Sequence, residues 1–562
     1  MRHEERNDGR LHSVNNRNVD CPAIILPKAE NTTVTKLARL MEPFSGLPKH
    51  FFVGYEADWE QKASPLHQLI VQGISGVILF RHHTSGLVGW EGFETLRNQL
   101  WQLRKLAHQA GSPQFMIGVD QEGGQVERFG ASFFPSFLSP ACVAQVTALN
   151  PSFATRHYAL LAEVLHALGV NLNFFPTVDV NLDENNPIIG IRSFGNSAET
   201  VKPLALQAIE THLKAGVLPV VKHFPGHGFG TVDSHHTLPK LTYTPEESSV
   251  FQATITEGNA PVVMVSHGYY PALQGTNPFP ASLDERIVTT LLRQEMGFNG
   301  LSISDDLEMG AILETTDPLS VVQQGLNAGL DLLLYRQGSQ AMLNLITEAQ
   351  QKIVANEPKE TEFQQRLTAL QTQHPTCFLP KPPPCTQAQY EYWMKQVQAL
   401  TQEAVTTILE ACGSPKLDRE APIWVVLPNA GKVLPHFSED ETTHATLSSL
   451  LVKAGCNRVK TSHYSTPEEE ALLATLVLAE RAKQPNLQVV IATWLPKVGS
   501  TLLSTLAKEA VVAVSQAKVF HWAIGGSALP ANPSLSETLT ELPLFGYRPV
   551  LKQAVVSQVV GL

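Results

Sequence analysis

Between residues 46 and 345 the apolar positions gather into short runs separated by amphipathic stretches. Eight runs rich in β-branched and aromatic residues recur: Phe51 to Tyr55, Gly76 to Phe80, Phe115 to Asp120, Asn171 to Phe175, Pro219 to His223, Pro261 to His267, Leu301 to Asp305 and Leu330 to Tyr335. Each is apolar nearly throughout, as strands buried on both faces must be. Between them Leu96, Leu100, Leu103 and Ala107 repeat at the spacing of one helix face. Ser282-Leu-Asp-Glu285 reads as a capping box ahead of Ile287, Val288, Leu291 and Leu292. Alternation of strand and helix predicts a parallel sheet. Eight such units in about 300 residues predict a (β/α)8 TIM-type barrel, with an open doubly wound sheet as the alternative.

The pattern changes at both ends of this region. Residues 1–45 are polar and without a sustained period, as in an N-terminal arm. After residue 345 come helical patterns, then His374-Pro-Thr-Cys-Phe-Leu-Pro-Lys-Pro-Pro-Pro384, which is expected to be extended. Apolar runs at Ile423 to Leu427, Gln488 to Trp494 and Val519 to Gly525 then alternate with helical stretches, predicting a smaller three-layer α/β sandwich. The expected organisation is an arm over 1–45, a catalytic barrel over 46–345, a helical segment and proline-rich linker over 346–387, and the α/β sandwich over 388–562. No acid/base candidate stands out in the last of these.

Composition narrows the partners. Apolar residues are 43% and charged residues 17% of the chain, enough for large packed cores and unlike a disordered protein. The formal charge is 41 − 52 = −11, without a dense Lys/Arg cluster, so nucleic acid is not an expected partner. No apolar run approaches the ~20 residues of a membrane span, and the first residues lack the apolar core of a signal peptide. The expectation is a cytoplasmic protein without a membrane partner. The cysteines at 21, 142, 377, 385, 412 and 456 show no CxxC spacing, so reduced thiols are expected, although Cys377 and Cys385 could approach each other.

Chemically capable residues fall at the carboxyl ends of the runs. Asp120 closes the third, Lys222 and His223 the fifth, His267 the sixth, Asp305 the seventh and Tyr335 the eighth. In a barrel these ends converge on one mouth, where the active site of this architecture lies. The fifth run leads into Gly226-His-Gly-Phe-Gly230 and then Asp233-Ser-His235. A carboxylate fixes the tautomer of an imidazole and stabilises its protonated form, so Asp233 and His235 read as an acid/base dyad. Glycines at 226, 228 and 230 would let that dyad swing over a substrate. Zinc binding by His223, His227, His235 and His236, an anion-binding backbone nest and a plain solvated loop are the alternatives. Pro225 and the glycines keep His223 and His227 off a common helix face. At Asp305-Asp306 side chains alternate, so one carboxylate faces the mouth. It could attack an anomeric carbon to form a glycosyl-enzyme intermediate, or the pair could merely cap the next helix.

Val119-Asp-Gln-Glu-Gly-Gly-Gln-Val-Glu-Arg-Phe129, Arg192-Ser-Phe-Gly195, Lys222-His-Phe-Pro-Gly-His-Gly228, Asp233-Ser-His235 and Ser304-Asp-Asp-Leu307 together resemble glycoside hydrolase family 3, in its β-N-acetylglucosaminidase branch. The resemblance covers about residues 46 to 345. Weaker likeness to the second domain of two-domain members extends through Trp522-Ala-Ile-Gly-Gly-Ser527 and Phe545-Gly-Tyr547. It implies that Asp305 is the nucleophile, that Asp233 and His235 replace the usual carboxylic acid/base, and that Asp120, Arg128, Arg192, Lys222 and His223 hold the terminal sugar. His267 and Met309 would line the pocket. Gln125 stands where relatives frequently carry Arg, which bears on aglycone contacts. The implied reaction is retaining hydrolysis of a terminal non-reducing β-linked N-acetylglucosamine, with peptidoglycan-derived muropeptides as substrates. No metal or organic cofactor is implied. Phosphate could replace water as acceptor, because a histidine repels an anion less than a glutamate does. A sugar-binding barrel without turnover is the alternative from another class. The expected partner is a small carbohydrate, and the expected state a monomer or weak homo-oligomer.

Overall fold

The computed structural model describes residues 46–229 except 184, 185 and 187, and residues 238–411 except 314–316 and 355. Beyond 411 it describes 418–428, 447–464, 487–493, 519–523, 539–542 and isolated positions between. All eight expected runs are strands: β1 (Phe51–Gly54), β2 (Gly76–Leu79), β3 (Met116–Val119), β4 (Leu172–Asn173), β5 (Leu218–Phe224), β6 (Val262–Val265), β7 (Leu301–Ser304) and β8 (Leu333–Leu334). They form one parallel sheet in the order β8-β1-β2-β3-β4-β5-β6-β7. A bridge between Ile303 and Leu332 brings β7 back to the start of β8, so the sheet curls into the expected barrel.

All the strands but β5 end sooner than the apolar runs, and that is how the mouth forms. Asp120 and Asp305 each lie one residue past the ladder, where a side chain need not fit between sheet and helices. Within each run, successive residues part company. Phe52, Ile78, Met116, Leu172, Val220, Met264 and Ile303 pack together inside the barrel, whereas Phe51, Val53, Val77, Ile117, Val221 and Val263 pack with the surrounding helices. This is the period of two expected for a strand buried on both faces. The helix Gly89–Gln109 buries Leu96, Leu100, Leu103 and Ala107 as its spacing predicts.

The segment after the barrel does more than lead away from it. Helix Glu357–Gln373 contributes Phe363, Leu367 and Leu370 to the inner cluster, and the tight turn Pro375–Phe378 adds Cys377 and Phe378. Together they form the floor opposite the mouth. The proline-rich stretch that follows is pinned to the barrel, since Arg104 Nη1 donates to the Leu379 carbonyl at 3.1 Å and Arg97 Nη2 to that of Pro383 at 2.6 Å. Helix Gln387–Ala411 packs on helices Pro140–Leu149 and Phe153–Leu168. Trp393 Nε1 donates to Glu163 there, and Arg156 pairs with Glu403.

One local expectation is corrected. Ser282 is not an N-cap: it lies in the turn Ala281–Leu283, and its hydroxyl is 2.7 Å from His267 Nδ1. Asp284 instead accepts from the amide and guanidinium of Arg286 at the start of helix Arg286–Glu295. Cys377 and Cys385 are both free thiols, one buried in the floor and the other half-exposed.

The C-terminal region holds a five-stranded parallel sheet: β9 (Ile423–Pro428), β10 (Val459–Tyr464), β11 (Gln488–Thr493), β12 (Val519–Ala523) and β13 (Leu539–Leu542). Its order is β10-β9-β11-β12-β13. The central three were expected. The two edge strands, Val-Lys-Thr-Ser-His-Tyr and Leu-Thr-Glu-Leu, are too polar to read as buried runs, as edge strands commonly are. Among the described residues no helix is long and apolar enough to cross a membrane.

Candidate active site

At the end of β3 the chain folds straight back. Gln121–Gly123 pairs antiparallel with Val126–Glu127, and the turn between them requires glycine. Gly123 and Gly124 have φ of +96° and +63°. A Cβ on Gly123 would lie 2.1 Å from the Leu138 carbonyl oxygen. Gln121 Oε1 accepts from the amides of Arg128 and Phe129, and Glu127 accepts from Ser136 and the Phe137 amide. The hairpin is thereby locked, with Asp120, Glu122 and Arg128 presented together.

Lys222, near the end of β5, lies between two of these carboxylates. Its Nζ is 2.8 Å from Asp120 Oδ1 and 2.7 Å from Glu122 Oε1. Arg192 grips Glu122 with two parallel hydrogen bonds, Nη2 to Oε1 at 2.8 Å and Nε to Oε2 at 3.0 Å, the strong bidentate geometry. Arg128 Nη2 reaches Asp120 Oδ2 at 3.3 Å. Burial pushes the Glu122 carboxyl up, but Arg192 and Lys222 outweigh it and hold it at about 2. Burial likewise opposes ionisation of Asp120, and Lys222 and Arg128 again prevail, keeping it below the ordinary range. Both carboxylates are therefore ionised at neutral pH, and the Lys222 and Glu122 side chains are sealed from water.

His223 joins it from the next position. Its Nδ1 is 2.7 Å from Asp179 Oδ2, and its Nε2 lies 3.4 Å from Arg192 Nη2. A carboxylate at Nδ1 fixes the orientation of the ring. Burial raises the Asp179 carboxyl, but His223 more than compensates, so it stays ionised. His227 sits behind, its ring centroid 6.0 Å from that of His223. Neither of its ring nitrogens has a hydrogen-bond partner among the described residues. Burial first, then His223, hold it down at about 4, while Asp179 and Asp305 pull the other way.

Asp305 follows β7. Its amide donates to the Val265 carbonyl and its Oδ1 accepts from the Asp306 amide at 2.8 Å. Alternation separates the pair: Asp306 is bound to Arg336 Nε at 2.8 Å and accepts from the Glu308 amide. His267, expected as pocket wall, props this loop, its Nε2 lying 2.9 Å from the Asp306 carbonyl oxygen. Met309 is buried in the turn beyond.

The structure thus brings Asp120, Arg128, Arg192, Lys222 and His223 into one network and puts Asp305 at the same end of the barrel. Asp233 and His235, with Gly230 and His236, lie outside the described residues. The expected swing of the glycines is corrected at 226 and 228, where close packing is what demands glycine. A Cβ on Gly228 would lie 1.6 Å from the Val180 carbonyl oxygen, and one on Gly226 would lie 2.6 Å from Glu247 Cδ. Sequence reading missed Glu122 and Asp179 as members of the site and offered His227 only as an alternative zinc ligand. Glu122 was visible as a charge beside Asp120 in an otherwise buried stretch, and Asp179 as the lone acid in Thr177-Val-Asp-Val180.

Comparison with known proteins agrees with this architecture. The model described as glycosyl hydrolase family 3 N terminal domain matches residues 49–372, from β1 through the floor helix. Beta-hexosaminidase A of Pseudoalteromonas piscicida is 36% identical over 233 residues, which is 39% of this chain and only 39% of that protein. A beta-hexosaminidase of Shewanella frigidimarina is 33% identical over 295 residues, 51% of this chain and 82% of that one. The structure of a family 3 β-N-acetylglucosaminidase from Paenibacillus sp. superposes with a TM-score of 0.71 at 24% identity, covering 92% of this chain and 96% of that one. At that identity the likeness is one of fold, and it reaches past the barrel into the C-terminal sheet. From β1 to the floor helix, then, the chain belongs to glycosyl hydrolase family 3.

Proposed function

We propose that this chain is a retaining β-N-acetylhexosaminidase that removes terminal non-reducing β-linked N-acetylglucosamine. The observation that carries this reading is the buried Asp120–Lys222–Glu122–Arg192 network with His223, set at the barrel end that also bears Asp305. A pyranose presents many hydroxyls, and fixed charged groups make the stronger hydrogen bonds to them. Because the network is assembled before substrate arrives, little reorganisation is left for the reaction. The beta-hexosaminidase relatives support the choice of sugar.

In the proposed mechanism Asp305 attacks the anomeric carbon while protonated His235, oriented by Asp233, gives its proton to the departing oxygen. Neutral His235 then takes a proton from water, which releases the sugar with net retention. These side chains supply nucleophile, acid and base, so the mechanism calls on no metal or organic cofactor. Muropeptides in the cytoplasm are the proposed physiological substrates. Phosphate in place of water is the second reading, favoured by the histidine in the acid/base position, which brings no negative charge against an anionic acceptor.

The test is product analysis of a chromogenic β-N-acetylglucosaminide, with and without phosphate. Free N-acetylglucosamine in both cases supports hydrolysis, and a sugar 1-phosphate supports the second reading. Sugar binding without turnover would sink both.

A further inference from the structure

The turn Gly226–Gly228 leaves β5 three residues after His223, and every one of its backbone polar groups is engaged. The Gly226 amide donates to the His223 carbonyl at 2.9 Å, and the Gly226 carbonyl accepts from the Tyr270 hydroxyl at 2.7 Å. The His227 amide donates to Asp179 Oδ1 at 2.8 Å, and the His227 carbonyl accepts from Asn186 Nδ2 at 2.8 Å. The Gly228 carbonyl accepts from the Asp183 amide at 3.3 Å. The Gly228 amide donates to Glu247 Oε1 at 2.7 Å. Two buried acids therefore hold adjacent amides of one turn, Asp179 from the segment after β4 and Glu247 from the helix Pro245–Thr256.

Glu247 is where a capping-box glutamate belongs. Thr244 is the N-cap, its hydroxyl accepting from the Glu247 amide. The usual use of such a glutamate is to reach back to the N-cap amide. Here Oε1 goes to Gly228, and Thr244 Oγ1 donates to Oε2 at 3.3 Å. The carboxyl also fills the space that the two glycines leave, lying under 3 Å from where a Cβ on either would stand.

We propose that Glu247 is a positioning residue for the proposed glycosidase site: by holding the Gly226–Gly228 turn it fixes His223 and His227 against Asp179. The state of its carboxyl fits this role. Burial, and then the charge of Asp179, push Glu247 up to about 8, so it is a neutral acid at physiological pH. The groups around it are Asp179, His223 and His227 and the Tyr270 hydroxyl, of which only Asp179 is held as an anion. A second anion at Glu247 would stand across the turn from it. Neutrality lets both acids accept from one turn without repelling each other.

The kinetic arm of the test rests on the hexosaminidase reading, and a second arm does not. Glu247→Gln keeps an acceptor for the Gly228 amide and cannot ionise, whereas Glu247→Leu fills the space without an acceptor. With a chromogenic β-N-acetylglucosaminide, Glu247→Leu is expected to lose about a hundredfold in kcat with KM changed less than about threefold, as small misplacements of reacting groups do. Glu247→Gln is expected within about threefold of the parent in both constants. Hydrogen exchange of the peptide spanning Phe224 to Phe229 reads the clamp without activity: about tenfold faster exchange in Glu247→Leu and none in Glu247→Gln supports it. Should Glu247→Leu fail to fold, Glu247→Ala at low temperature takes its place in both arms. Unchanged exchange in the leucine or alanine variant, or equal kcat losses in the glutamine and leucine variants, overturns the proposal. A parent protein without turnover but with the exchange pattern intact counts against the glycosidase reading alone.

Discussion

The two ends of the barrel carry the same chemistry to different purposes. At the floor, buried Asp331 stands between two arginines. Its Oδ1 accepts from Arg366 Nη2 at 2.7 Å, and its Oδ2 from Arg293 Nη2 at 2.5 Å and the Ser302 amide at 2.8 Å. At the mouth, buried Glu122 stands between Arg192 and Lys222. Burial raises both carboxyls, and the cations beside them outweigh it. The difference is in what is left over. Both Asp331 oxygens are spent on protein donors, and the backbone carbonyl accepts further support from His50. Around the mouth Arg128 Nε and both ring nitrogens of His227 have no partner among the described residues. A saturated network stabilises a fold, whereas one with unspent donors is open to a ligand.

Variants can break that contrast. The largest expected effect is at the mouth: Asp305→Asn should lower kcat by at least about a thousandfold, since the proposed mechanism forms its covalent intermediate on that carboxylate. Its denaturation midpoint should match the parent, and retained turnover would remove Asp305 from the mechanism. Next comes the floor. Asp331→Asn takes the shared buried counter-ion from the half-buried Arg293 and Arg366, leaving Arg366 only its pair with exposed Glu362, and should cost about 3–5 kcal/mol in denaturant unfolding. The folded fraction should keep its kcat, and a fall in kcat larger than the loss of folded protein would erase the proposed division of labour.

A smaller effect is expected at the edge of the sugar network. Arg128 is one-third exposed, and its guanidinium pairs with Asp120. Arg128→Met should leave stability within about 0.5 kcal/mol. It should lower kcat/KM by about 10–100-fold, the loss of one charged hydrogen bond to substrate. The smallest is a pH effect. Glu247 is held up at about 8 from an ordinary 4.5, so its protonated form is favoured by folding. Its contribution is full below pH 4.5 and is lost as pH rises toward 8. Glu247→Gln should therefore gain stability relative to the parent across that window, and a constant difference in unfolding free energy from pH 5 to 8 would contradict the assignment.

The barrel was legible because strands buried on both faces leave a mark that helices do not. The mouth was legible because polar residues at strand ends need no partner from elsewhere to be noticed. What escaped was tertiary. Glu122 meets Lys222 a hundred residues later, and no local pattern announces such a pair. Ser282 had every local reason to cap a helix, yet His267 claims its hydroxyl. The glycines of the fifth strand's loop read as freedom, but at 226 and 228 they mark the space taken by Glu247 and the Val180 carbonyl. The floor helix showed its apolar spacing without showing that the barrel would be its partner.

The central claim is that the mouth works through one carboxylate. Incubation with a 2-fluoro or 5-fluoro glycoside, followed by peptide mass spectrometry, tests it most directly. The account predicts one covalently bound sugar per chain, on Asp305. Label on Asp306 or on any other residue would contradict it.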